Sequence, residues 1–244
     1  EQRLRVQDLE AVLQDHPAQE FGSPKTLLKH QDQLARLETE LRDRKTKYAD
    51  LAHRYWEEFV SLMKILEHFA CLERNRPTNL GQMAAAIRGD NELWLGLALA
   101  SGEFDTLPPH QFAAACAAIV TEVSRPDTWT RYRTSNAVEE ALEGLRQLRR
   151  EIFQLQRRHQ VVMPVWLEWD LIALIEQWAL ETDWSELCNN TSLDEGDVVR
   201  ILRRTLDFLS QIPHVPFLSD EVKNTARQAA YLINRFPVNE EVEA

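Results

Sequence analysis

Between Ser192 and Gln211 the chain reads SLDEGDVVRILRRTLDFLSQ, which sets Arg200, Arg203, Arg204 and Asp207 three to four residues apart. That spacing brings side chains to one arc of an α-helix. A guanidinium row of this kind can follow a phosphate backbone or stack on bases. The plainer reading is a solvated face carrying an Arg203–Asp207 pair, worth about 0.3 kcal/mol. Val198, Val199, Ile201, Leu202, Thr205, Leu206 and Leu209 form the opposite, buried side. A second basic stretch, GLRQLRREIFQLQRRHQ, carries Arg146, Arg149, Arg150, Arg157 and Arg158. Flanking acids dilute it, so a solvated helix competes there with a secondary basic face.

Catalytic chemistry finds little support. The chain contains no GxxxxGK[ST] and no GxGxxG, the usual glycine devices for holding a nucleotide. ATP hydrolysis by this chain alone is therefore not expected. It has no HExxH and no Cys/His set at metal spacing. His16, His30, His53, His68, His110, His159 and His214 are dispersed and read as surface or packing residues. Asp194 and Glu195 read as first-turn acids favoured by the helix dipole. Trp166, Trp169 and Trp178 read as core residues at helical spacing.

Such arginines need a scaffold, and the composition says of what kind. The chain has 244 residues, 44% hydrophobic, with only 7 glycines. It is long enough for a sizeable core, and scarce strand-like alternation favours helix. A net charge of −11 argues against a wholly basic nucleic-acid surface but leaves room for a local track. Cys71, Cys116 and Cys188 are unpaired in sequence and odd in number, which fits reduced thiols. No apolar run approaches the roughly 18 residues needed to span a bilayer, so no membrane partner is expected. The chain opens inside a helix pattern without a methionine, which predicts a piece of something longer.

The periodicity predicts an all-α fold, with an antiparallel helical stalk over 1–72 followed by a compact bundle over 73–244. Leu4, Val6, Leu9, Val12 and Leu13 mark a short first helix. QDHPAQEFGSP breaks it, and a long helix follows from Pro24 to Leu72, with Leu34, Leu37, Leu41, Tyr48, Leu51, Phe59, Leu62, Leu66 and Phe69 near heptad spacing. A tiny β-hairpin is expected near 71–79. Three compact helices then lead to SRPDTWTRY, a loop whose Trp and Tyr should fold back on the core. Helices are expected over Glu139–Gln160, from VVMPVWLEWDLIALIEQWAL, in TDWSELCNN with Asp183 as cap, about 195–211, and over Asp220–Arg235. FPVNEEVEA ends the chain as a proline stop and an acidic tail.

With these residues laid out, nearly the whole chain resembles the C-terminal part of Ski-type DExH-box RNA helicases. Leu9 to Arg44, with a helix ending at His16-Pro17 before a long charged helix, resembles the returning stalk of the family's arch. Leu62 to Val120, including GQMAAAI and NELWL, is similar to the start of its DSHCT domain. WSELCNNTSLDEGDVVRILRRTLDFLSQI resembles the family's most specific element, a short helix, an E-G pair and the ratchet helix. NTARQAAYLINRFPV is similar to the closing helix of cyanobacterial and chloroplast members.

The resemblance implies that the 195–211 helix touches single-stranded RNA leaving two RecA-like motor domains of the same parent chain. Carried over by position, Arg200 is the leading contact, Arg203 and Arg204 match a basic pair, and Asp207 an acidic position. Thr205 and Leu206 stand where a leucine and an acid are usual, and Leu97 replaces an acid. ATP and Mg would belong to the motor, with no cofactor in this stretch. Partners would include RNA-processing proteins, in the bacterial cytoplasm or alternatively the plastid stroma. Two other classes compete: a helical interaction scaffold that dimerises through 24–72, and a helix-turn-helix DNA-binding regulator. The lack of Asn, Gln or Ser base readers on the arginine helix weighs against the last.

Overall fold

Leu, Ala, Glu, Gln and Arg dominate long stretches with few glycines to interrupt them, and these are the residues that lose least on entering a helix. The computed structural model describes residues 2–122 and 127–239 and is almost entirely helical there. It divides into two compact units, Glu1–Glu57 and Glu58–Ala244.

In the first unit α1 (Gln2–Gln14) is followed by a 3-10 turn (Pro17–Phe21) and by α2 (Pro24–His68), whose last turns belong to the second unit. The apolar stripes of these helices face solvent: Leu4, Leu9, Leu34 and Leu41 are 54–66% exposed. Local pairs such as Arg44–Glu40 at 2.6 Å and His53–Glu57 at 3.1 Å support the outside of α2.

The expected long helix to Leu72 stops earlier, at His68. Ala70 turns left-handed (φ 54°), so its N–H reaches the Glu67 carbonyl at 3.0 Å and the Cys71 N–H reaches Leu66 at 2.8 Å. This is a Schellman closure, with alanine at the position that usually holds glycine. The hairpin follows: β1 (Leu72–Glu73) pairs antiparallel with β2 (Arg76–Pro77) across Arg74 and Asn75, both at positive φ. Thr78 then caps α3 (Asn79–Ala85), its Oγ1 accepting from the Gly81 N–H at 3.1 Å.

The second unit is organised around α5 (Pro109–Val120). Phe112 to Cys116 are completely buried, and Ala117, Ala118 and Ile119 nearly so. Its PHQFAAACAAIV sequence is mostly alanine, which lets neighbouring helices approach closely. Packed on it are α6 (Asn136–His159), α7 (Ile172–Ala179), α9 (Glu195–Gln211) and α10 (Asp220–Ile233), with α4 (Glu92–Ala100) against α3. The short α8 (Trp184–Asn189) is capped by Asp183, as its sequence predicts.

Two expectations require correction. The apolar run from Val161 is not one helix, because α6 ends in a second Schellman closure at Gln160 (φ 55°), with Val161 N–H on the Gln156 carbonyl at 3.0 Å. The chain continues without helix through Pro164 until α7. There the buried Glu168 carboxylate accepts the N–H groups of Trp169, Asp170 and Leu171 at 2.7–3.3 Å. Trp178 is fully buried, but Trp166 and Trp169 sit half-buried on this irregular segment, not at helical spacing. Trp129 does not fold into the core either: it is 46% exposed, while Tyr132 packs partly against the core. Ser124, Arg125, Pro126 and the end of the acidic tail, 240–244, lie outside the described residues.

The C-terminal segment is pinned. Arg235 lies over the Trp178 ring, 3.2 Å from its centroid, and donates to the Trp178 and Thr182 carbonyls, each at 2.8 Å. Trp178 Nε1 returns a bond to the Ile233 carbonyl at 2.9 Å. No helix among the described residues is long and apolar enough to cross a membrane.

Candidate nucleic-acid interface

Asp194 starts α9 by accepting the Asp197 N–H at 2.7 Å, the expected first-turn acid acting as the cap itself. The helix buries Val198, Ile201, Leu202, Thr205, Phe208 and Leu209. Val199 and Leu206, read as buried from the pattern, are only half-buried, and Phe208 takes a full place in the core. Thr205 is tolerated there because its hydroxyl donates to the Ile201 carbonyl at 2.9 Å.

The three arginines share an arc but have different surroundings. Arg200 is the most open, 75% exposed, and pairs with Asp197 within its own helix at 2.6 Å. Such a pair contributes about 0.3 kcal/mol and yields readily to a competing anion. Arg203 donates from Nε to the Val238 carbonyl at 2.9 Å, tying α9 to the C-terminal segment. Asp207 accepts from Gln211 at 3.3 Å, four residues on.

Arg204 forms an ion pair with Asp90, in the loop joining α3 to α4. The same Asp90 Oδ2 accepts the Trp166 indole N–H at 3.2 Å. Gln211 accepts the Arg88 N–H at 2.7 Å and donates to the Arg88 carbonyl at 3.2 Å. These contacts wall a cleft of about 250 Å³ between the loop, α9 and the segment around Trp166. Both members of the Arg204–Asp90 pair are half exposed, so it contributes only about 0.2–1 kcal/mol. Asp90, Trp166 and Gln211 are residues that the spacing argument missed. They lie 114, 38 and 7 positions from Arg204 in the chain, and only the fold brings the first two to it.

The second basic stretch is less open than its sequence implies. Arg146 pairs with Glu143 at 2.8 Å and lies over the Trp169 ring at 4.7 Å. Arg149 donates to the Val165 carbonyl at 3.0 Å and stacks over Phe153 at 4.9 Å, and partial burial lowers its pKa. Arg150 borders a small cleft with Leu167 and Trp169. Arg157 and Arg158 are exposed in the last turn of α6, where the helix dipole favours positive charge. Among the described residues, no group of three His, Cys, Asp or Glu side chains could hold a metal ion.

Helices wrapped around a buried alanine-rich one, with an arginine-bearing helix entered through a capped E-G turn, define an all-α helicase-associated module. Residues 74–241 match the model of the DSHCT (NUC185) domain, and the chain belongs to that family. Over 191 residues, 76% of its length, it is 34% identical to the chloroplastic DExH-box ATP-dependent RNA helicase DExH15 of Arabidopsis thaliana. Both matches support the C-terminal region of a Ski-type helicase. The chain spans 16% of that relative's length.

Proposed function

We infer that this chain is an auxiliary region of an ATP-dependent RNA helicase that contacts single-stranded RNA and guides it out of the motor. The observation that carries the reading is Arg200, the most exposed of three arginines on the family's ratchet-position helix, restrained only by a local carboxylate. ATP and Mg would be held by RecA-like domains of the same parent, and residues 1–72 would serve as the stalk of an arch. The name of the Arabidopsis relative favours a plastid setting, with a bacterial cytoplasm as the alternative.

The physics suits a strand that must move. A few arginines on a chain of net charge −11 give a weak grip that falls with salt, because each phosphate neutralised releases counterions. Guanidinium stacking tolerates any base, which fits a general substrate.

The test is fluorescence anisotropy of the 244-residue chain with a short single-stranded RNA across a salt series, beside Arg200→Ala and an equal-length DNA duplex. Salt-sensitive RNA binding that weakens several-fold with the substitution is expected. Preferential duplex binding would favour a helix-turn-helix reading of α8 and α9 instead.

A further inference from the structure

Asp90 is placed where an RNA phosphate would sit on Arg204. We propose that the corner formed by Arg204, Arg88 and Trp166 is a phosphodiester seat, filled in the RNA-free chain by the Asp90 carboxylate and exchanged for RNA on binding. This rests on the RNA reading above and concerns which atoms take part.

The loop does not need the ion pair to keep its shape. Gln211 holds Arg88 by both its N–H and its carbonyl. Asn91 caps α4 through the Trp94 N–H at 3.1 Å and donates to the Pro164 carbonyl at 3.0 Å. The Arg204–Asp90 contact is thus surplus to the architecture, and both partners are half exposed. A planar carboxylate receiving a guanidinium N–H and an indole N–H presents the same acceptor chemistry as a phosphate oxygen.

The cleft also offers more than Asp90 uses. Arg88 lines it, and so does Trp94, whose Nε1 is buried without a hydrogen-bond partner among the described residues. Trp166 is half-buried at the rim, its indole held by the carboxylate and its face suited to a base. Arg204 stands one helical turn, about 6 Å, beyond Arg200, so neighbouring nucleotides of an extended strand can engage both.

The decisive substitution is Asp90→Asn, which removes the charge and keeps an acceptor for Trp166. Single-stranded RNA binding by the 244-residue chain is read by anisotropy across salt, with Arg204→Ala, the double variant, and Glu92→Gln as a charge-matched control on α4. Asp90→Asn is expected to tighten binding by about two- to fivefold, the equilibrium equivalent of an exposed ion pair. Its salt slope should steepen by about 0.7, one added phosphate contact on a single strand. The gain should vanish in the double variant, since it runs through Arg204. An equal gain in Glu92→Gln, a gain that survives Arg204→Ala, or no gain would overturn the seat. If Arg200→Ala still weakens binding in that case, the RNA reading stands without it. Loss of all RNA binding, wild type included, would remove both. Circular dichroism of each variant separates these outcomes from misfolding.

Discussion

Arg203 of α9 donates from Nε to the Val238 carbonyl at 2.9 Å, so the middle arginine of the stripe is a tether for the C-terminal segment. Its neighbours Arg200 and Arg204 meet carboxylates instead. Arg203→Ala should therefore cost about 1 kcal/mol of stability, the usual worth of a partly exposed charged hydrogen bond. Thermal unfolding would show a drop of a few degrees. A substitution here that weakens RNA binding as much as Arg200→Ala, with an unchanged melting temperature, would contradict the assignment.

Glu168 should be among the most sensitive acids in the chain. It is 1% exposed, and its Oε1 takes three successive N–H groups just before α7. Glu168→Gln keeps an oxygen in place but loses the charge assistance, at about 1 kcal/mol. Glu168→Ala strands the donors and should cost about 2–3 kcal/mol. Urea unfolding of both variants ranks them, and equal midpoints would mean that the carboxylate does not organise this turn.

Gly96 on α4 faces Ala84 on α3 so closely that an added Cβ would lie 2.8 Å from the Ala84 Cα and Cβ. The obstruction is backbone, not a movable side-chain tip. Overpacking of this sort costs about 1–3 kcal/mol, so Gly96→Ala should destabilise despite alanine's better helix propensity. A stabilised Gly96→Ala would show that the α3–α4 contact is looser than described.

The three thiols should react in order of access. Burial and then the nearby Glu195 raise the pKa of Cys188, so less thiolate is present at a given pH than for a free cysteine. Its labelling rate with a disulfide reagent should rise at higher pH than that of a small-molecule thiol. Cys116 is completely buried, and burial raises its pKa strongly, so it should label only on global unfolding. Fast Cys116 labelling under native conditions would indicate that α5 opens locally.

Local chemistry in the sequence determined most of the elements. Asp183 and Ser219 announce helix starts because a short oxygen can cap the first N–H groups, and they do so here. The arginine arc was legible for a similar reason: its apolar complement repeats at helical spacing, so burial of Val198, Leu202 and Leu209 leaves the arginines outside. Two helix ends were not legible, since Ala70 and Gln160 occupy left-handed positions where glycine would have been the signal. Only packing holds non-glycine residues there. The run from Val161 to Leu171 was likewise open to helix by composition, until Glu168 took the backbone donors.

What the tertiary structure alone decided is the partner of each arginine. Periodicity is a property of one element and predicts which side chains share a face. It carries no information about a carboxylate 114 residues away in a loop of its own. Arg200, Arg203 and Arg204 look equivalent along the helix, and they become an open cation, a structural tether and a half-occupied seat only because α9 lies between Val238 on one side and Asp90 on the other.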